Sequence, residues 1–296
     1  MDSAETVFCS LLQLDLVAWS SLITGYSQCG DYGKAFFYFR KLNMEKGKTI
    51  DPILVSVVLA SIAQSANVRL GIEIHGYVVR HGLESNVLVS SALIDMYCKC
   101  GSVNLGIRIF EIMPERNVVS FNSLMLGLGL NGLASQAFKV FDEMLRINLK
   151  PDDSTFSALL SACCHAGLFD DGFRVFRRMI TEFCIQPKIE HHVHLAKLLG
   201  MVGQIEEAYN LILCLPKPIH SGILGALLSC CEVHGNFELA EALSLQLLGN
   251  ESQKSADKVM LSNIYAVHGR WDAVQKLRDI TERKLLGLSW IESGKT

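Results

Sequence analysis

Apolar residues in the stretch "NVVSFNSLMLGLGLNGLASQAFKVFDEM", Asn117 to Met144, fall into two runs at helical spacing. Phe121, Leu124, Met125 and Leu128 make one stripe; Ala137, Val140, Phe141, Met144 and Leu145 make another. The pattern predicts two amphipathic helices. Gly132 lies between the stripes as the turn, and Pro151 in "LKPD" stops the second helix. One position breaks the pattern: polar Asn122 directly follows Phe121 near the start of the first helix.

The same pattern appears earlier in "DLVAWSSLITGYSQCGDYGKAFFYF". Trp19 stands against Phe121, Leu22 against Leu124, Gly25 against Gly127, Gly30 against Gly132, Ala35 against Ala137 and Phe39 against Phe141, with Ser20 opposite Asn122. Each pair is 102 positions apart, too long for one supersecondary unit. Hairpin-like units beginning near Leu16, Pro52, Val87, Val118, Asp153 and Ile189 divide it, with lengths of 36, 35, 31, 35 and 36 residues between starts. Three units therefore form a superrepeat, and Leu93, Gly101 and Pro114 match Leu195, Gly203 and Pro216 at the same offset. Such hairpins cannot bury their inner faces alone. The expected fold is all-α, a right-handed α-solenoid of helix-turn-helix repeats spanning 16–51, 52–86, 87–117, 118–152, 153–188 and 189–219. Ala4 and Phe8 repeat the second-helix pair, so residues 1–15 read as a partial N-terminal repeat.

Composition narrows the function classes. Half of the 296 residues are hydrophobic and 19% are charged, which suits helices buried on more than one side and excludes disorder. The longest nearly apolar run, "ILVSVVLASIA" from Ile53, is too short to span a bilayer, so no membrane role is expected. Ten cysteines are scattered through helical patterns without a Cys-x-x-Cys, pointing to unpaired thiols in a reducing compartment. The net charge of −3 gives no global attraction to phosphate and counts against nucleic-acid binding, leaving a local basic stripe open.

Two families have helical hairpins of this size. Tetratricopeptide repeats share the Ala-x-x-x-Phe of the second helix, but their length is uniform, and "WSSLITGY" places its glycine later than they do. "NVVSFNSLM", "SSALIDMYCKCGSV", "LSACCHAGLFDDGFRVF" and "LSNIYAVHGRWDAVQKLR" instead resemble plant pentatricopeptide repeat proteins, in the PLS subclass whose long, short and standard repeats rotate. After the repeats, 220–296 resembles the subclass's E-type extension: "GILGALLSCCEVHGNFELAEAL" and "VMLSNIYAVHGRWDAVQKL" look like two E motifs, ending at "LSWIE".

The resemblance implies one RNA base read per repeat, on unpaired RNA, by a polar residue early in the first helix helped by the repeat's last residue. Short amides and hydroxyls can pair with a base edge, and apolar neighbours can sandwich the base. Carried over, Asn122 with Asp152 implies uracil, Ser91 with Asn117 adenine, and Ser20 with Asp51 guanine. Ser56 with Asn86 and Ser157 with Lys188 follow the code poorly, and Val193 stands where a polar reader is expected. The implied segment is G-N-A-U-N-N. The competing reading is that Ser20, Ser91 and Asn122 cap or start their helices, and that Asp51 and Asp152 satisfy the next helix dipole; both roles can coexist.

The implied partners are single-stranded organellar RNA and, through residues 220–292, a DYW-type deaminase or other editing-complex proteins acting in trans. The implied function is site recognition for C-to-U editing, in a mitochondrion ahead of a chloroplast, with a tetratricopeptide-like interaction scaffold as the alternative. No catalysis is expected of this chain: His-x-Glu followed by Pro-Cys-x-x-Cys, the zinc deaminase signature, is absent from it. "CCHAG", "CCEVH" and "EHHVH" invite a metal reading, but adjacent helical cysteines diverge and no second ligand pair lies at zinc-finger spacing, so no metal or other cofactor is expected. His191, His192 and His194 are expected to begin an exposed helix. Phe8, Leu11 and Leu12 are expected to form an uncapped apolar face that self-associates. No presequence is visible, with acidic Asp2 and Glu5 at the start and no arginine before Arg40.

Overall fold

A computed structural model describes residues 2–10, 15–45, 50–214, 221–236, 238–240, 242–243, 262–263, 265–267 and 269–279. Every regular element among them is a helix. The chain is an all-α, right-handed α-solenoid of helix-turn-helix repeats. Its hairpins are α2 (Leu16–Gln28) with α3 (Tyr32–Met44), α4 (Pro52–Ser65) with α5 (Val68–Arg80), α6 (Val87–Lys99) with α7 (Val103–Ile112), α8 (Val118–Leu130) with α9 (Ala134–Arg146), and α10 (Asp153–Ala166) with α11 (Phe169–Thr181). A lone helix, α1 (Asp2–Ser10), precedes them. By contacts the chain divides into two compact units, Met1–His191 and His192–Thr296.

Helix starts are set by side chains that accept otherwise orphaned amide protons. Asp15, Asp31, Asp51, Asn67, Asn86, Asn117 and Asp152 each cap the helix that follows. Pro52 then occupies the first turn of α4, where its missing N–H costs nothing. The hairpin turn after α8 uses Gly132 at φ 74°, a left-handed conformation that a side chain disfavours.

In the first unit the first helices α2, α4, α6, α8 and α10 pack one on the next as an unbroken layer. The second helices α3, α5, α7 and α9 each pack on their own first helix and on the first helix that follows, and α11 packs on α10. One contact recurs along the stack: a second-helix phenylalanine meets an aromatic at the fourth position of the next first helix. Phe8 meets Trp19 at 4.8 Å, Phe110 meets Phe121 at 4.9 Å and Phe141 meets Phe156 at 5.9 Å, all edge-to-face. Such pairs add roughly 0.5–1.5 kcal/mol beyond area burial. They account for the phenylalanine of the Ala-x-x-x-Phe pattern at Phe8 and Phe141; Phe39 instead meets Tyr77 of α5 at 5.6 Å.

Phe8 is therefore not an exposed association face. It is 5% exposed, covered by Trp19 and Tyr38, because α1 docks as the second helix of a repeat would. Leu11 and Leu12 lie outside the described residues. First helices also approach closely through small residues. A Cβ on Gly129 would lie 2.7 Å from the Ala162 Cα, and one on Gly127 would lie 2.4 Å from the Cys98 Sγ.

The second unit has its own core, in which Ala196, Ile205, Ala208, Ile212, Leu224, Leu227, Leu228 and Cys231 are buried. They come from α12 (Ile189–Met201), α13 (Ile205–Leu213) and α14 (Ser221–His234), and a Cβ on Gly200 would lie 2.6 Å from the Cys230 Sγ. A further helix spans Trp271–Asp279. The "LSWIE" end of the extension lies outside the described residues.

Candidate functional site

The candidate readers Ser20, Ser56, Ser91, Asn122 and Ser157 each occupy the fifth residue of their first helix. None is a helix cap; the caps come from the residue immediately before each helix. At four of these starts that residue is the last one of the preceding unit: Asp51, Asn86, Asn117 and Asp152. Because first helices stack side by side, the last residue of one unit is delivered toward the reader of that same unit.

At Asn122 the two meet. Its Nδ2 donates to Asp152 Oδ1 at 3.0 Å, and its Oδ1 accepts from Thr155 Oγ1 at 2.8 Å. Asp152 Oδ1 also accepts the Thr155 N–H at 2.8 Å, so one carboxylate caps α10 and holds the amide on α8. The cap and the partner of the candidate reader are one residue.

The other pairs differ. Asp51 Oδ1 accepts from Ile53 N at 2.9 Å, and among the described residues no hydrogen bond joins it to half-buried Ser20. Ser91 is 3% exposed and its Oγ has no hydrogen-bond partner, while Asn117 accepts from Ser120 N at 3.1 Å. Ser56 Oγ donates to Ile53 O at 2.7 Å, and Asn86 Oδ1 accepts from Leu88 N and Val89 N. Lys188 extends its ammonium to the Asp153 carboxylate, not to Ser157. That bond lowers the Asp153 pKa and raises that of Lys188.

The same loop corrects the histidine expectation. His191 is 1% exposed: Nδ1 accepts from Lys188 N at 2.9 Å, which leaves Nε2–H to donate to Asp153 O at 2.8 Å. Two backbone groups satisfy the ring inside the packing, and the third-position side chains Leu54, Val89, Ser120 and Thr155 are likewise buried. His192 and His194 are half-buried.

A further set of residues escaped the sequence reading. Val17, Ile53, Leu88 and Val119 are 71%, 59%, 45% and 53% exposed, each at the second position of its first helix and three residues before a candidate reader. Residues three apart share a helix face. An apolar side chain outside the buried stripe at these four helix starts was the available signal; α10 has Ser154 there.

Five of the ten cysteines behave as packing residues, while Cys9, Cys29, Cys184 and Cys214 are exposed. Cys98, Cys163, Cys164, Cys230 and Cys231 are buried, and burial pushes the Cys98 and Cys163 thiols up to about 12 and Cys231 to about 11. Among the described residues no three His, Cys, Asp or Glu side chains gather as a metal site, and no helix is long and apolar enough to cross a membrane.

Sequence comparison gives this arrangement a family. Models described as a PPR repeat match residues 17–46, 89–118 and 154–182, a PPR repeat family model matches 116–165, and an E motif model matches 234–292. The Arabidopsis thaliana pentatricopeptide repeat-containing protein At1g64310 is 53% identical over 97% of this chain. The chain belongs to the pentatricopeptide repeat family. Two more pentatricopeptide proteins of Arabidopsis thaliana, At3g26782, mitochondrial, and CRR2, chloroplastic, are 36% and 35% identical over 95% and 99% of the chain. The chain spans 53%, 43% and 45% of these relatives' lengths. Among solved structures, that of the pentatricopeptide repeat protein PPR10 in complex with an 18-nt psaJ RNA element is similar over 92% of this chain and 46% of its own, with a TM-score of 0.55 and 14% identity.

Proposed function

We propose that this pentatricopeptide chain binds single-stranded RNA base by base and recognises sites for C-to-U editing of organellar transcripts. The six repeats would run over 16–219 and the E-type extension over 220–296. The observation that carries the reading is the Asn122–Asp152 pair, in which a capping carboxylate holds the amide of a fifth-position residue at 3.0 Å. An amide held this way keeps one N–H and one lone pair free for a base edge. Val119 and Leu88, exposed on successive first helices, supply apolar flanks for a base. Asp51 with Ser20 and Asn117 with Ser91 would serve guanine and adenine, the buried Ser91 Oγ turning outward to do so. Ser56 with Asn86 and Ser157 with Lys188 would contribute little discrimination.

PPR10, bound to RNA in its crystal structure, and relatives named mitochondrial or chloroplastic support RNA as the ligand and an organelle as the location. The E motif match at 234–292 supports recruitment of a deaminase in trans, this chain contributing recognition and no chemistry.

The test is fluorescence anisotropy on short unpaired RNAs. G-N-A-U-N-N should bind about tenfold tighter than a version with G and A exchanged and U replaced by A, since stacking and pairing of a base are worth roughly 1–3 kcal/mol. Equal binding of the two RNAs by folded protein would refute base reading and favour a peptide-binding groove.

A further inference from the structure

Thr155 is the third residue of α10 and has no exposed surface. Its hydroxyl accepts from Asp152 N at 3.1 Å, completing a capping box. The hydroxyl's single proton then has two acceptors within reach, Asn122 Oδ1 at 2.8 Å and Asp152 Oδ1 at 2.9 Å. A cap needs neither of these. The bond to Asn122 instead crosses from α10 to α8, onto the preceding repeat's reader.

We propose that Thr155 is a positioning residue that fixes which way the Asn122 amide faces and thereby sets uracil against cytosine at that repeat; the inference rests on the base-reading proposal above. A primary amide can turn over and exchange its donor and acceptor ends. With Nδ2 on Asp152 and Oδ1 on Thr155, both ends are matched. Turned over, Oδ1 would face the Asp152 carboxylate, acceptor against acceptor, and the Thr155 proton would lose its Asn122 partner. Uracil presents an N–H and a carbonyl where cytosine presents a bare nitrogen and an amino group. The two pyrimidines therefore select opposite amide orientations, and Thr155 supplies one of the bonds that holds the uracil-matching one.

The chain contains its own control. Ser120 holds the same third position in α8, is equally buried, and closes the same capping box with Asn117. Its Oγ, however, donates to Asn117 O at 2.8 Å, and the reader of the preceding repeat, Ser91, has an unpartnered hydroxyl. After Asp51 the third position is Leu54, with no hydroxyl to give.

The experiment compares G-N-A-U-N-N with G-N-A-C-N-N by anisotropy for the unchanged protein, Thr155→Val, Thr155→Ser and Ser120→Ala. Thr155→Val should lower the U-to-C affinity ratio about fivefold, the worth of one hydrogen bond, while Thr155→Ser and Ser120→Ala leave that ratio unchanged. Should Thr155→Val fail to fold by circular dichroism, Thr155→Cys, a far weaker donor of similar size, carries the same comparison. If the valine variant binds both RNAs more weakly in equal proportion, or keeps the ratio, Thr155 is a cap only and the inference falls while base reading stands. If the unchanged protein does not distinguish U from C at all, base reading by Asn122 has failed and the inference with it.

Discussion

A thiol removed from water loses the solvation that stabilises its anion, which is why burial raises Cys98 and Cys163 to about 12. Native protein at pH 8 should therefore react with a thiol reagent first at exposed Cys9, Cys29, Cys184 and Cys214, with the five buried cysteines responding only on unfolding. Rapid labelling of Cys98 in folded protein would contradict its packing between Gly106 and Gly127. At Gly129 the tight contact is with backbone, the Ala162 Cα at 2.7 Å, which no rotamer change relieves. Gly129→Ala should cost about 1–3 kcal/mol by overpacking, read from denaturant midpoints. The small-residue role of the cysteines was legible in their helical phase. The Asn122–Thr155 bond was not, because it depends on how two helices 33 residues apart register sideways.

Helix α1 is anchored by a polar cluster that its own sequence does not announce. The Glu5 carboxylate accepts from the Tyr26 hydroxyl, the Tyr38 hydroxyl and the Lys34 ammonium. These bonds, Tyr26 first, lower its pKa to about 2. A depressed carboxylate pKa contributes docking stability that is complete above the unfolded value, near 4.5, and is lost as pH falls toward 2. The protection of α1 amides, measured against the exchange of an unstructured chain at the same pH, should fall across that window, and Glu5→Gln should abolish this fall; protection that does not change with pH would count against the anchor. Element types were legible because apolar periodicity and Asp or Asn caps agree at seven helix starts, those of α2 to α6, α8 and α10. Failures came where one side chain served a contact outside its own helix. Phe8 looked unpartnered because its partners, Trp19 and Tyr38, belong to the following hairpin. His191 looked like part of an exposed start because its two bonds go to backbone groups at Lys188 and Asp153.

In a stack of hairpins, stability is approximately a sum over repeats and their nearest-neighbour interfaces. Phe141, packed on Phe156 and Phe183, lies at one such interface. Phe141→Ala should cost about 3–5 kcal/mol, with hydrogen exchange accelerating in α8 to α11 more than in α2 to α5; uniform loss of protection would refute modular stability. On the RNA-binding proposal, a net charge of −3 on the whole chain implies a shallow salt dependence of affinity. Specificity would then rest on the proposed reader pairs, and the pair in contact is the place to test it. The decisive measurement is the base preference of Asn122→Ser at the U position of G-N-A-U-N-N. With Asp152 retained, the variant has the same residue pair as Ser20 with Asp51, so preference should move from uracil to guanine. An unchanged preference, or none before or after the substitution, would contradict base reading by this position.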